Sequence, residues 1–170
     1  EPLAKNLAEL RRAVTRHRAD IGFATDADVD RLSIVSERGR ALGEEFSLAL
    51  AADFMLSRRR GTVVTNLSTS RMIDDVAARH GGTVVRTPVG EANVVAGMTR
   101  RHAVIGGEGN GGIIIPGLTH ARDATAGMAL VLQLLAQRKA TVSRLCAALP
   151  SYAMVKETMT VARPAELLDA

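Results

Sequence analysis

Residues 26–31 read Asp26-Ala27-Asp28-Val29-Asp30-Arg31, three carboxylates at alternate positions followed by a guanidinium. In extended backbone, residues i, i+2 and i+4 face the same way, so this spacing predicts that the carboxylates converge. Two like charges about 4 Å apart repel by roughly 4 kcal/mol when the effective dielectric is that of a protein surface. Gathering three of them between apolar strands therefore calls for a cation. Hard oxygen donors suit Mg²⁺, or Ca²⁺ in a looser site. Arg31 adds a fixed positive charge that can be aimed at a phosphate. The plain alternative is an acidic surface turn without a ligand. An EF-hand is excluded: its sixth loop position must be Gly for the bend, and here it is Arg31.

A second stretch, Gly107-Glu108-Gly109-Asn110-Gly111-Gly112, matches the G-x-G-x-x-G pattern of dinucleotide sites. Its context argues against that reading. A helix must open after the loop, yet Ile113-Ile114-Ile115-Pro116 is β-branched and then broken by proline. The side chains offer a different chemistry. Glycines let a ligand approach the backbone, Glu108 accepts hydrogen bonds, and Asn110 both donates and accepts them. That combination suits vicinal sugar hydroxyls, although a tight turn with two exposed polar residues would read the same.

Other polar residues have simpler roles. Ser70 is placed to cap a helix from Arg71 to His80, which explains Asn66–Ser70 without a nucleophilic serine. The four histidines, His17, His80, His102 and His120, share no metal-ligand spacing, and His17 and His80 fall near helix ends where solvent is expected. Arg122-Asp123 reads as a local ion pair or as the start of a long helix. Cys146, the single cysteine, sits on an apolar helix face and reads as core.

The elements that carry these residues alternate. Leu3, Leu7, Leu10 and Val14 recur at helical spacing and predict a helix over 3–18. Strands are expected at 21–24, 32–35, 62–65, 83–86, 103–107 and 112–115. Helices are expected at 44–56, opened by Glu44 and Glu45, and at 71–80, 91–101 and 123–138, the second stopped by Gly81-Gly82. Alternating strands and helices argue α/β layers. Residues 20–35 and 103–115 are both strand, polar loop, strand; two unrelated hairpins would also look alike.

With 170 residues, 46% of them apolar and 24% charged, the chain can bury a core. The net charge of +4 comes from 19 Arg and 3 Lys against 18 acids. The arginines are scattered, apart from Arg58-Arg59-Arg60, and stacking aromatics are few, so no nucleic-acid partner is expected. No apolar run reaches membrane length, and one cysteine fits a reducing compartment. A cytoplasmic chain with no membrane contact is expected.

Taken together, Asp26–Arg31 resembles the metal loop D-G-D-x-D-R of the α-D-phosphohexomutases, a family that includes phosphoglucosamine mutase, phosphomannomutase and phosphoglucomutase. Glu108-Gly109-Asn110-Gly111-Gly112 is similar to that family's sugar-recognition loop, E-x-[SN]-G-[HG]. The order and separation of the two loops, and Thr87-Pro88-Val89-Gly90 between them, also fit. The resemblance extends over about residues 1–156. It implies three-layer α/β/α sandwich units with mixed sheets. Residues 1–58 would be the second half of the second domain, 59–156 the third domain, and 157–170 a lead toward a fourth. It further implies a phosphoryl transfer between hexose 6-phosphate and hexose 1-phosphate through a phosphoserine outside this chain. Asp26, Asp28 and Asp30 would hold Mg²⁺, Arg31 would contact the transferring phosphate, and Glu108 and Asn110 would grip the sugar.

Two positions depart from the pattern. Ala27 replaces the usual Gly, which is tolerable where its φ is negative. Gly112 stands where many relatives have His. Neither an S-H-N-P phosphoserine loop nor an R-x-S-G-T-E-P phosphate loop is present. The expected partners are therefore a hexose phosphate and the remaining domains of the same polypeptide, and the isolated chain is expected to be inactive. A non-catalytic phosphosugar-binding module is the alternative.

Overall fold

The computed structural model describes residues 2–155. The lead expected at 157–170 lies outside them. A 3-10 turn at Ala4–Asn6 precedes α1 (Ala8–His17). The hairpin β1 (Ile21–Thr25) and β2 (Leu32–Ser36) follows, then α2 (Glu45–Arg58). A second unit runs β3 (Thr62–Asn66), α3 (Met72–Arg79), β4 (Thr83–Thr87), α4 (Glu91–Arg101), β5 (Ile105–Gly107) and β6 (Ile113–Ile114). It closes with α5 (Ala124–Arg138) and α6 (Val142–Ala147).

β1 and β2 form a two-stranded antiparallel sheet; the second sheet has the order β4-β3-β5-β6. There β3 pairs parallel to β4 and β5, and β6 pairs antiparallel to β5, so the sheet is mixed. Neighbouring strand residues face opposite sides, and two adjacent valines display the layering. Val63 points into a core shared with α2, α3 and α5. Val64 packs with Ile114 and with Val94 and Met98 of α4. This is the expected α/β/α sandwich. The hairpin joins the first core through Leu32 and Ile34, while Val35 turns the other way to meet Leu7 and Val14 beneath α1. Ser47 Oγ donates to Leu32 O at 2.5 Å, fixing α2 against β2.

Three sequence expectations are corrected here. The helix expected over 3–18 is interrupted at Leu7, whose amide bonds back to Ala4 O in a 3-10 turn before the α-helix starts. Ser70 caps nothing: its hydroxyl is buried without a partner, and its amide donates to Glu45 Oε2 at 3.0 Å, an acceptor supplied by α2. His80 is not solvated. Its Nε2 lies 2.6 Å from Asp53 Oδ1 in α2, and Arg138 approaches the same oxygen at 3.6 Å. Cys146 packs against the main core as expected. Burial pushes its thiol up to about 12, with Glu37 adding to the rise and Arg40 opposing it.

The far end of the hairpin is tied to α6 by Glu37, which accepts from the Ser143 amide at 3.1 Å and from the Ser143 hydroxyl. Burial raises the Glu37 carboxyl, but these two bonds outweigh it and hold the carboxyl below its usual range. A depressed carboxyl stabilises the fold above its unfolded pKa and loses that contribution as pH falls through the folded value. Glu37→Gln should therefore lower the melting temperature at neutral pH, and the difference from the parent chain should close on acidification. Melting curves with a constant gap across that range would contradict it.

Candidate functional site

The connection between β1 and β2 is the acidic loop, since the ladder ends at the Thr25–Leu32 pair. One oxygen from each of Asp26, Asp28 and Asp30 lies within 4.8 Å of the others. The carboxylates thus converge as the sequence predicts, but a turn gathers them rather than an extended strand. The Val29 amide donates to Asp26 O at 3.2 Å. Asp26 Oδ1 accepts from the amides of Asp30 (3.2 Å) and Arg31 (3.1 Å). The positive φ this needs, 58°, falls on Val29 and not on Ala27, so Ala27 is unstrained. For a β-branched residue that conformation costs about 1–3 kcal/mol. The turn's bonds, and one from the Ala124 amide to Val29 O (3.1 Å), hold it in place.

Charge in the loop is only partly balanced. Arg31 Nε lies 3.0 Å from Asp26 Oδ2 and 3.7 Å from Asp30 Oδ1. Burial raises the Asp26 carboxyl, yet the Arg31 and Asp30 amides outweigh it and hold its pKa low. Asp30 goes the other way: burial and the neighbouring Asp26 and Asp28 carboxylates push it up against the pull of Arg122. Asp28 is exposed. Three convergent hard oxygen donors with residual negative potential fit a divalent cation such as Mg²⁺.

The glycine-rich loop connects β5 to β6, and no helix opens after it, which disposes of the dinucleotide pattern. Glu108 is 4% exposed and holds four donors. Its Oε1 accepts from Asn66 Nδ2 at 2.7 Å and from the Gly90 amide at 3.3 Å. Its Oε2 accepts from Arg122 Nη1 at 2.9 Å and from Asn110 Nδ2 at 3.5 Å. Asn110 Oδ1 closes the loop by accepting from the Gly112 amide at 3.2 Å. From the loop after β3, Thr69 Oγ1 accepts from the Gly109 amide at 2.9 Å. Arg86 in turn pins the Thr69 and Ser70 carbonyls at 2.7 and 3.2 Å. Asn66, Gly90 and Glu108 all stand at or just beyond the carboxyl ends of parallel strands, where open α/β sheets place ligand sites.

The two loops are one structure. The Leu32 amide donates to Gly111 O at 3.0 Å, and Arg31 bridges to Gly112. Gly111 has a φ of 94°, and a Cβ there would stand 2.6 Å from Leu32 O, so the junction needs glycine. Arg122 supplies a second link. Its guanidinium pairs with Asp30 Oδ2 in the acidic loop, with Glu108 Oε2 at 2.9 Å, and with Glu91 Oε2 at 3.2 Å. Its amide donates to Glu91 Oε1 at 2.9 Å.

Arg122 does not pair with Asp123, which caps α5 by accepting from the Ala126 amide at 2.8 Å. The sequence held a signal for this. A cation just before a helix N-terminus opposes the dipole and needs acidic partners from elsewhere. Asn66, Thr69, Arg86 and Glu91 carried no such signal, because ordinary loop and helix roles account for their types.

Residues 43–152 match the family model described as phosphoglucomutase/phosphomannomutase, alpha/beta/alpha domain III. A probable phosphoglucosamine mutase of Methanopyrus kandleri is 38% identical over 160 residues, covering 94% of this chain and 35% of that protein. A phosphoglucomutase/phosphomannomutase of Thermococcus kodakarensis is 36% identical, covering 92% of this chain and 34% of that protein. The crystal structure of a phosphoglucomutase/phosphomannomutase family protein of Burkholderia thailandensis superposes with a TM-score of 0.74 at 26% identity, over 88% of this chain and 33% of that one. The chain thus spans about a third of the length of the relatives it matches. With a domain model covering most of its described residues, on the fold that carries both loops, the chain belongs to the phosphoglucomutase/phosphomannomutase family.

Proposed function

We propose that this chain is the metal- and sugar-binding portion of a phosphohexomutase that interconverts hexose 6-phosphate and hexose 1-phosphate. The phosphoserine would lie on another part of a longer polypeptide. The observation that supports this most is the joining of the two loops: three convergent carboxylates fixed to the Glu108 loop by the Leu32–Gly111 bond and by Arg122. A phosphoryl-transfer site needs a cation near the phosphate and a grip on the sugar at a set separation.

Asp26, Asp28 and Asp30 would hold Mg²⁺, which offsets charge on the transferring phosphoryl group. Arg31, over the same carboxylates, would contact that phosphate through its guanidinium. In the sugar loop, the 3.5 Å contact between Asn110 Nδ2 and Glu108 Oε2 is the longest of the four that Glu108 accepts. A hexose hydroxyl would replace it at least cost, leaving Asn110 to bond a neighbouring hydroxyl.

The test is a coupled assay with glucosamine, mannose and glucose 1-phosphates in the presence of Mg²⁺. The isolated 170 residues should give no sustained isomerisation. A polypeptide joining them to a phosphoserine-bearing domain should turn over, and should stop when Asp28→Ala is introduced. Sustained turnover by the isolated chain, or full turnover by that variant, would contradict the reading.

A further inference from the structure

Arg122 stands where the acidic loop, the glycine-rich loop and the start of α4 meet. One guanidinium serves three carboxylates there, those of Asp30, Glu91 and Glu108. Its side chain is 17% exposed, so these pairs are largely screened from water. Gly112 makes the arrangement possible. A Cβ at that position would collide with Arg122 Cδ, so a side chain at 112 would force the arginine stem to shift. The cation in this space therefore comes from residue 122, at the entrance to α5, rather than from the loop itself.

We infer that Arg122 is a positioning residue that couples the divalent-ion loop to the sugar loop, as a resident counter-charge that an incoming ion must displace from Asp30. The inference rests on the Mg²⁺ reading proposed above. A divalent cation drawing on Asp30 competes with the guanidinium for the same carboxylate. As that pair loosens, Arg122 is left to Glu91 and Glu108, and the balance of donors on Glu108 shifts. Ion binding at one loop is thereby felt at the other, and by linkage a ligand that draws Glu108 away changes the ion affinity by the same factor.

Calorimetric titration of the chain with MgCl₂ tests this, using the parent, Arg122→Gln and Arg122→Lys. Gln keeps much of the stem over Gly112 and removes the charge. Arg122→Gln should bind Mg²⁺ at least about fivefold more tightly, the fold-change that one unit charge at about 4 Å gives even at the dielectric of water. Arg122→Lys, which restores the charge, should return the affinity toward that of the parent. A purely structural role would not be rescued by charge alone. Equal affinity in all three overturns the inference and leaves the Mg²⁺ reading standing. No binding by any of them, the parent included, removes the Mg²⁺ reading and this inference with it. Should Arg122→Gln fail to fold, the Arg122 Nε–H resonance of the parent chain decides. It should move in step with the residue 26–31 amides as Mg²⁺ is added, and a stationary signal overturns the coupling.

Discussion

Asp28→Ala should weaken Mg²⁺ binding by about a hundredfold or more while leaving the fold of the chain intact. Affinity in all-oxygen sites follows the number of charged ligands, and this change removes one of three. The position separates ion binding from folding. Asp28 is exposed, whereas Asp26 accepts the Asp30 and Arg31 amides that shape the turn. Asp26→Ala would lose the ligand and the turn together. Calorimetry should thus show binding lost in Asp28→Ala with an unchanged melting temperature in the absence of ion. The parent chain should also melt higher as MgCl₂ is raised, because an ion that binds only the folded state stabilises it by mass action. Equal affinity in Asp28→Ala and the parent would remove the acidic loop from the site.

Glu108→Ala should be the most destabilising single change in the site, by about 3–5 kcal/mol, the range for removing one partner of a buried charge pair. The carboxylate is buried and accepts from Asn66, Gly90, Asn110 and Arg122 at once. Truncation leaves the Asn66 amide without an acceptor and Arg122 with one fewer counter-charge in a poorly hydrated setting. Urea unfolding should show the midpoint fall sharply, with an unchanged slope on denaturant concentration. Glu108→Gln should recover part of the loss, since its amide oxygen can still accept. A loss below about 1 kcal/mol, the worth of one ordinary hydrogen bond, would mean that Glu108 faces solvent and does not organise the loop.

Much of the fold was legible because its signals are local. Short β-branched runs marked β3 and β4, and Gly81-Gly82 marked the end of α3. The acid spacing at 26, 28 and 30 announced the convergence of the carboxylates, although the conformation that delivers it was hidden. A turn with positive φ at Val29 violates local propensity and is held by contacts from other elements, including the Ala124 amide. The same limit applies to Ser70 and His80. Their hydrogen-bonding fates depend on Glu45 and Asp53 of α2, which are remote in sequence. The docking of the two loops rests on a backbone bond, Leu32 to Gly111, and backbone bonds between distant segments leave little trace in side-chain types. Arg122 fell between these cases. Its charge next to a helix N-terminus was visible, but three acids from three different elements had to be brought together before its role could be read.

The central claim is that a divalent ion binds the acidic loop and that the glycine-rich loop borders the same site. Paramagnetic broadening by Mn²⁺, a spin-active stand-in for Mg²⁺, tests both halves in a single NMR titration. Amide signals of residues 26–31 should disappear first, followed by those of 108–112 and 122, and excess Mg²⁺ should restore them. Broadening centred on other acids, such as Asp74 and Asp75, with residues 26–31 and 108–112 left sharp, would contradict it.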